Sequence, residues 1–156
     1  MFRIVKSEEK HIPDICQLWV EFLKYSEEFH PMFAIGEGAA DHMEKSFLRP
    51  ALQDKYHLVL LALDDVKVAG YAVAKINEKL PTKHDFMTGV IDHLFVTQDC
   101  RRRGVGGQMY AEVLKWFKSA GINRVEVQLI AKNKVACAFW KKQGYGDFEY
   151  IWERKI

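Results

Sequence analysis

Disulfides, membrane spans and a strong charge of one sign are all missing from this chain. Its three cysteines, Cys16, Cys100 and Cys137, are odd in number, scattered and without paired spacing. That excludes a disulfide framework or a zinc ribbon, and it suits reduced thiols in a reducing compartment. No apolar run approaches the ~18 residues of a membrane helix. No Lys/Arg-flanked apolar segment with a cleavage site opens the sequence, so the expected location is the cytoplasm, with no membrane partner. The formal charge of +2 is too small to mark a polyanion binder, so any basic feature must be local. Repeats, low-complexity tracts and Pro/Gly/Ser linkers are also lacking, which leaves one domain expected over residues 1–156.

What is present is the composition of an ordinary globular protein, 49% hydrophobic and 28% charged. FRIV at 2–5 reads as a strand. Ile15, Leu18, Trp19, Phe22 and Leu23 recur at helical spacing behind Pro13. A second helix is expected over about 39–49, stopping before Pro50. YHLVLLAL at 56–63 and VKVAGYAVAKI at 66–76 form a hairpin pattern about Asp64 and Asp65. The polar stretch 78–88, with His84, is long enough to suggest a functional loop. VIDHLFV at 90–96 is the next strand, and a helix carrying Met109, Val113, Trp116 and Phe117 ends at Gly121. RVEVQLIA at 124–131 reads as a strand, Asn133 caps a helix closed by Gly144, and the tail YGDFEYIWERKI reads as a strand or short hairpin. The fold class is therefore α/β, a mixed sheet flanked by helices.

Between the strand at 90–96 and the next helix lies DCRRRGVGGQMY, 99–110, three arginines against three glycines. Exposed N–H groups at a helix amino end favour an anion, and glycine lets it approach closely. Two phosphate motifs fail on spacing. A dinucleotide fingerprint needs a small residue at 109, which is Met109, and a Walker loop needs Lys after Gly107, where Gln108 stands. A solvated basic turn remains the plain alternative. Nucleic-acid binding by the arginines is disfavoured, because no aromatic platform accompanies them.

What fits is R-x-x-G-x-G, at Arg101, Gly104 and Gly106. With it, VIDHLFVTQDCRRRGVGGQMYAEVLKWFKSAG resembles the core strand, loop and helix of the GNAT superfamily of N-acetyltransferases. NKVACAFWKKQGY at 133–145 is similar to that family's next segment, N-x-x-A-x-x-φ-Y-x-x-x-G-F. The likeness covers about 75–155, then the hairpin, and the first 50 residues only in outline.

The resemblance implies a GNAT-like, mostly antiparallel central sheet and an acyltransferase that uses acetyl-CoA as co-substrate, without metal. It implies that Arg101, Arg102, Arg103, Gly104, Val105, Gly106 and Gly107 hold the pyrophosphate, with Arg102 and Arg103 the solvent-facing arginines. It further implies that Leu94, Phe95 and Val96 run along pantetheine by their backbones, Leu94 N–H polarising the thioester carbonyl. Asn133 would cap its helix and could also touch pantetheine, while Phe139 and Trp140 would wall the cofactor.

The acceptor amine must be neutral to attack, yet a lysine-like amine has a pKa of about 10.4. Asp92 is the candidate general base, an acid inside an apolar strand. It could equally be hydrogen-bonded to backbone, or bind a cationic substrate without taking its proton. Strand alternation sends His93 to the opposite face, for a structural role. The family's frequent tyrosine acid falls at Trp140, whose indole is no useful proton donor. Tyr110 and Tyr145 occupy apolar family positions and read as core. Releasing the thiolate unprotonated at pH 7 costs only about 2 kcal/mol, since a thiol pKa is near 8.5. The missing tyrosine keeps a second reading open, a catalytically silent acyl-CoA-binding sensor.

Glu27, Glu28 and His30, in YSEEFHPMF at 25–33, are the candidate substrate contacts for a cationic small-molecule or peptide amine; a solvated helix end is their plain alternative. Nucleic acid is not an expected partner. A homodimer, common in the family, is compatible with the sequence.

Overall fold

The computed structural model describes residues 1–65, 67–78, 87–154 and 156. The connection 79–86, with His84, lies outside the described residues, so the expected functional loop does too.

Five strands form one sheet in the order β1 (Phe2–Lys6), β2 (His57–Asp64), β3 (Lys67–Glu78), β4 (Met87–Val96) and β5 (Val125–Val127). The first three pairings are antiparallel and β4–β5 is parallel. This is the mixed, mostly antiparallel sheet anticipated. β2 reads as a continuous apolar run because both of its faces are covered. Leu58, Leu60 and Ala62 face one helical layer, and Val59 and Leu61 the other.

The first layer is α4 (Val105–Ser119) and α5 (Lys134–Lys142). Met109, Val113, Phe117 and Trp140 are buried there against Ala72, Ala74 and Ile91. On the other face α1 (Ile12–Glu27) buries Ile12, Ile15 and Leu18 against Val59, Tyr71, Val73 and Phe95. Pro13 sits in its first turn, where a missing N–H costs nothing.

Three elements depart from expectation. The second helix does not stop before Pro50. It runs as α2 (Ala39–His42), a π-helical segment Met43–Leu48 and α3 (Arg49–Gln53), with Arg49 N–H bonded to the Glu44 carbonyl. The wider π turn accommodates a proline whose ring would clash in a regular α-turn. The strand expected over 124–131 pairs only at Val125–Val127, where its ladder with β4 ends at Ile91. The tail makes no strand among its described residues: Phe148, Tyr150, Ile151 and Trp152 are exposed. Its alternation of apolar and polar residues is not matched by pairing with any strand among the described residues.

Gly70 sets the spacing of β3 and β4. A Cβ there would collide with the Phe95 carbonyl oxygen and come within 3.2 Å of Val96 Cα and 3.3 Å of Met109 Cε. Since two of these neighbours are backbone, Gly70→Ala is expected to destabilise the protein by about 1–3 kcal/mol. A denaturant midpoint unchanged from the wild type would contradict that packing.

Candidate active site

The sheet divides where β5 leaves β4. The parallel pairing stops at Ile91↔Val127, while β4 continues to Val96 with no strand on that side among the described residues. At the same place β4 bulges: Val73 opposes His93 and Ala74 opposes Ile91, so Asp92 is the extra residue.

The bulge changes which backbone groups face the gap. Gly89 N–H bonds the Arg124 carbonyl, toward β5, whereas Thr97 N–H bonds the Ala69 carbonyl, toward β3. Counting back from Thr97 by strand alternation, Leu94 and Val96 N–H point away from β3, into the gap. Without the extra residue, counting forward from Gly89 would turn Leu94 N–H toward β3. The bulge thus leaves Leu94 N–H as a donor at an open edge.

It also overturns the expectation that Asp92 and His93 point to opposite faces. A bulge of this kind places two successive side chains on one side of the sheet. Both lie on the α1 face. Asp92 Oδ1 meets Lys75 Nζ at 3.0 Å, and Asp92 Oδ2 is buried without a hydrogen-bond partner. His93 packs against Phe22, Phe47 and Tyr71, with Nδ1 3.3 Å from the Tyr71 hydroxyl. Burial pushes the His93 imidazole down to about 4, against the opposing pull of Asp92. The unfolded chain, with an ordinary histidine near 6.5, therefore binds a proton that the folded state refuses. Stability is expected to fall as pH drops from 6.5 toward 4. His93→Phe should flatten that acid limb in unfolding titrations, and an identical limb in the variant would refute the assignment.

Around Asp92 lies a cleft of about 270 Å³ lined by Lys75, Asn77, Val90, Ile91, Asp92, Glu126, Gln128 and Glu149. Three carboxylates, from β4, β5 and the tail, face one lysine. Glu126 also accepts from Arg124 Nε at 3.3 Å. The sequence reading missed Lys75, Asn77, Glu126, Gln128 and Glu149. Strand alternation carried a signal for some of them, since Lys75 and Asn77 share the face of Tyr71 and Val73. Glu126 lies between Val125 and Val127, which pack on the opposite face.

On the α4 face of the gap, the glycine loop meets β4. Gly104 adopts φ 84° at the amino end of α4, a left-handed conformation that favours glycine. A Cβ on Gly106 would stand 3.5 Å from Leu94 Cδ2 and 3.6 Å from Phe139 Cε2, and one on Gly107 would meet nothing within 4 Å. Leu94, Gly106 and Phe139 therefore converge, with open space before the first turn of α4. That space, the free N–H groups of the turn and the open β4 edge fit a diphosphate followed by an extended amide-bearing arm.

The arginines divide by role. Arg101 Nε donates to the Val96 carbonyl at 3.0 Å, and its guanidinium lies 4.3 Å from the centre of the Tyr25 ring. It ties the loop to the end of β4. Arg103 pairs with Asp64 at 3.1 Å and covers Phe2. Arg102 is exposed at φ 60°. Both arginines expected to face solvent are exposed, Arg103 while also paired with Asp64 of β2. Val105 is buried beneath the loop, and Phe95 is buried on the α1 face.

Asn133 caps α5 as expected, its Oδ1 accepting from Ala136 N–H at 3.0 Å. Trp140 is only 5% exposed, edge-on to Tyr110, Phe139 and Tyr145. Tyr110 and Tyr145 share a hydroxyl contact of 3.3 Å, and burial raises the Tyr145 phenol further. Trp140→Phe is expected to leave turnover within a few-fold; a hundredfold loss with unchanged acetyl-CoA affinity would contradict a packing role. Glu27 and Glu28 are exposed at the end of α1 and do not line the Asp92 cleft. His30 Nε2 lies 2.7 Å from Glu153 of the tail. Among the described residues, no group of three His, Cys, Asp or Glu side chains could hold a metal ion.

The model of the acetyltransferase (GNAT) family matches residues 12–145. No curated protein matches the chain. Among solved structures, a mutant of the BH1408 protein from Bacillus halodurans is 19% identical, with a TM-score of 0.85 over 99% of both chains. The aminoglycoside 6'-N-acetyltransferase AAC(6')-IG from Acinetobacter haemolyticus is 19% identical, with a TM-score of 0.76 over 99% of both chains. The aminoglycoside N-acetyltransferase AAC(6')-Iy in complex with CoA is 20% identical, with a TM-score of 0.76 over 99% of this chain and 95% of the other. At these identities the likeness is one of fold.

Proposed function

Because the chain belongs to the acetyltransferase (GNAT) family, whose co-substrate is acetyl-CoA, we propose that it acetylates a primary amine by direct attack in a ternary complex, where β4 and β5 part. The observation that carries this reading is the bulge at Asp92. It leaves Leu94 N–H at the open edge of β4 and sets the Asp92 side chain along the neighbouring cleft.

The co-substrate supplies an acetyl thioester. The first turn of α4, from Gly104 to Gly107, receives its diphosphate, and Arg102 stands free to meet the outer phosphate. Phe139 and the β4 backbone over Leu94–Val96 guide the arm toward the gap. Leu94 N–H stabilises the carbonyl oxygen as charge builds on it. Asp92, steadied through Oδ1 by Lys75, takes the amine hydrogen on its carboxylate. No side chain is needed to protonate the thiolate, given its modest cost near neutral pH.

The acceptor reaches the gap from the α1 face, through the cleft. Three carboxylates against one lysine favour an amine that carries a second positive charge, a small molecule or a peptide amine. This moves the acceptor contacts from Glu27, Glu28 and His30 to Asp92, Glu126 and Glu149. The free thiols of Cys16, Cys100 and Cys137 suit a cytoplasmic setting, and no helix among the described residues is long and apolar enough to cross a membrane.

Thiol release from acetyl-CoA, followed across a panel of mono- and diamines of equal length, tests the reading. Turnover with a preference for diamines is expected. Binding of acetyl-CoA with no amine accepted would favour the silent sensor, which the tryptophan at 140 keeps in view.

A further inference from the structure

The bulge in β4 needs something to hold it, because a single-residue slip would restore regular pairing with β3. That slip would turn Leu94 N–H toward β3 and carry His93 round to the apolar α4 face, with Asp92 taking its place opposite Val73. Opposite the bulge, β3 presents Val73, and the two neighbours of Val73 on the α1 face are Tyr71 and Lys75. Each holds one of the two side chains that the bulge places together. Lys75 takes Asp92 at 3.0 Å, and Tyr71 takes His93 at 3.3 Å.

The His93 side is the more enclosed of the two. Its ring centre stands 5.2 Å from Phe22 of α1, 5.9 Å from Phe47 of the π-helical segment and 5.7 Å from Tyr71. Tyr71 is itself fully buried, and Phe22 also meets Phe95 at 5.9 Å. Three separate elements therefore meet on one imidazole. The titratable and charged groups about it are Asp92 and Lys75 on the sheet and the Tyr71 phenol. Its depressed basicity keeps the ring uncharged near neutral pH, so it fills the slot as an aromatic group. A neutral ring wedged among Phe22, Phe47 and Tyr71 cannot follow the strand through a slip without emptying that slot.

We propose that His93 is a positioning residue for acetyl transfer, acting through the backbone: its ring locks the bulge and so aims Leu94 N–H and Asp92 at the gap. The role rests on the acetyl-transfer reading but assigns His93 no contact with either substrate. It also gives α1 and the π-helical segment a part in the reaction geometry, through Phe22 and Phe47.

The test follows the Leu94 backbone amide by nitrogen-15 NMR in the full chain, titrated with acetyl-CoA and separately with CoA, alongside steady-state turnover on the best amine of the panel. In the wild type the Leu94 amide should respond differently to the two ligands, because only acetyl-CoA offers a thioester carbonyl. His93→Ala should erase that difference and lower kcat about tenfold, with the KM for acetyl-CoA within threefold. His93→Phe, which refills the slot, should restore most of both. Should His93→Ala not fold, Phe47→Leu thins the slot more gently and should give about a threefold loss of kcat with a weakened Leu94 signature. Wild-type behaviour in His93→Ala, or in Phe47→Leu where that variant stands in, would overturn the proposal. So would a His93→Phe variant as impaired as His93→Ala. A wild-type Leu94 amide that answers CoA and acetyl-CoA alike would instead refute the acetyl-transfer reading, before any variant is made, and the proposal with it.

Discussion

Asp92→Asn is expected to lower turnover by about a hundredfold or more, within the range that a positioned base contributes, while acetyl-CoA binds as before. Asparagine keeps the shape of the side chain and an oxygen for Lys75, but it carries no charge and accepts no proton. The proposed cofactor contacts lie on the α4 face of the gap, whereas Asp92 faces the cleft on the α1 side, so affinity for acetyl-CoA should be untouched. In the variant the rate should instead follow the supply of free amine. That supply rises about tenfold per pH unit until the amine's own pKa, about 10.4 for a lysine-like group. Turnover and pH dependence both equal to the wild type would remove Asp92 as base. A fall in turnover with an unaltered pH profile would leave it as a binder of the ammonium, consistent with its ion pair to Lys75.

Gly106→Val should weaken acetyl-CoA binding by about a hundredfold, or about 2.8 kcal/mol at 1.4 kcal/mol per factor of ten. The Cβ itself fits, at ordinary contact distance from Leu94 and Phe139. The two γ carbons must go further, into the space before the first turn of α4 that a diphosphate needs. A general loss of stability is not the expected cause, since valine is a somewhat better helix former than glycine. Thermal unfolding of the free protein should therefore change little while calorimetric affinity collapses. Gly106→Ala should fall between the two proteins. Unchanged affinity in the valine variant would show that the diphosphate lies elsewhere.

How far these features could be read in advance depends on how local their causes are. The turn from Arg101 to Gly106, the Asn133 cap and the terminating Gly121 and Gly144 are short-range devices, and each stands where its residues implied. Helix α1 was legible because five apolar side chains repeat at one period. The bulge was not, because an extra residue in a ladder is defined by its partner strand, and VIDHLFV alone carries no mark of it. Asp92 and His93 were assigned to opposite faces for the same reason. The passage of a helix through Pro50 escaped notice because it depends on a π turn upstream. Of the cleft proposed for the acceptor, only Asp92 was legible. Its other walls come from β3, β5 and the tail, which meet only in the folded chain, and Glu27 and Glu28 drew attention as a nearby pair of acids without lying there.

Amide hydrogen exchange across the chain, with and without acetyl-CoA, tests most directly whether the parted strands and the glycine turn form one cofactor site. Protection gained jointly by Leu94–Val96 and by Val105–Gly107, and little changed along β1 and β2, is the result this account requires. Protection confined to other elements, or acetyl-CoA bound with the amides of the α4 first turn exchanging as freely as before, would contradict it.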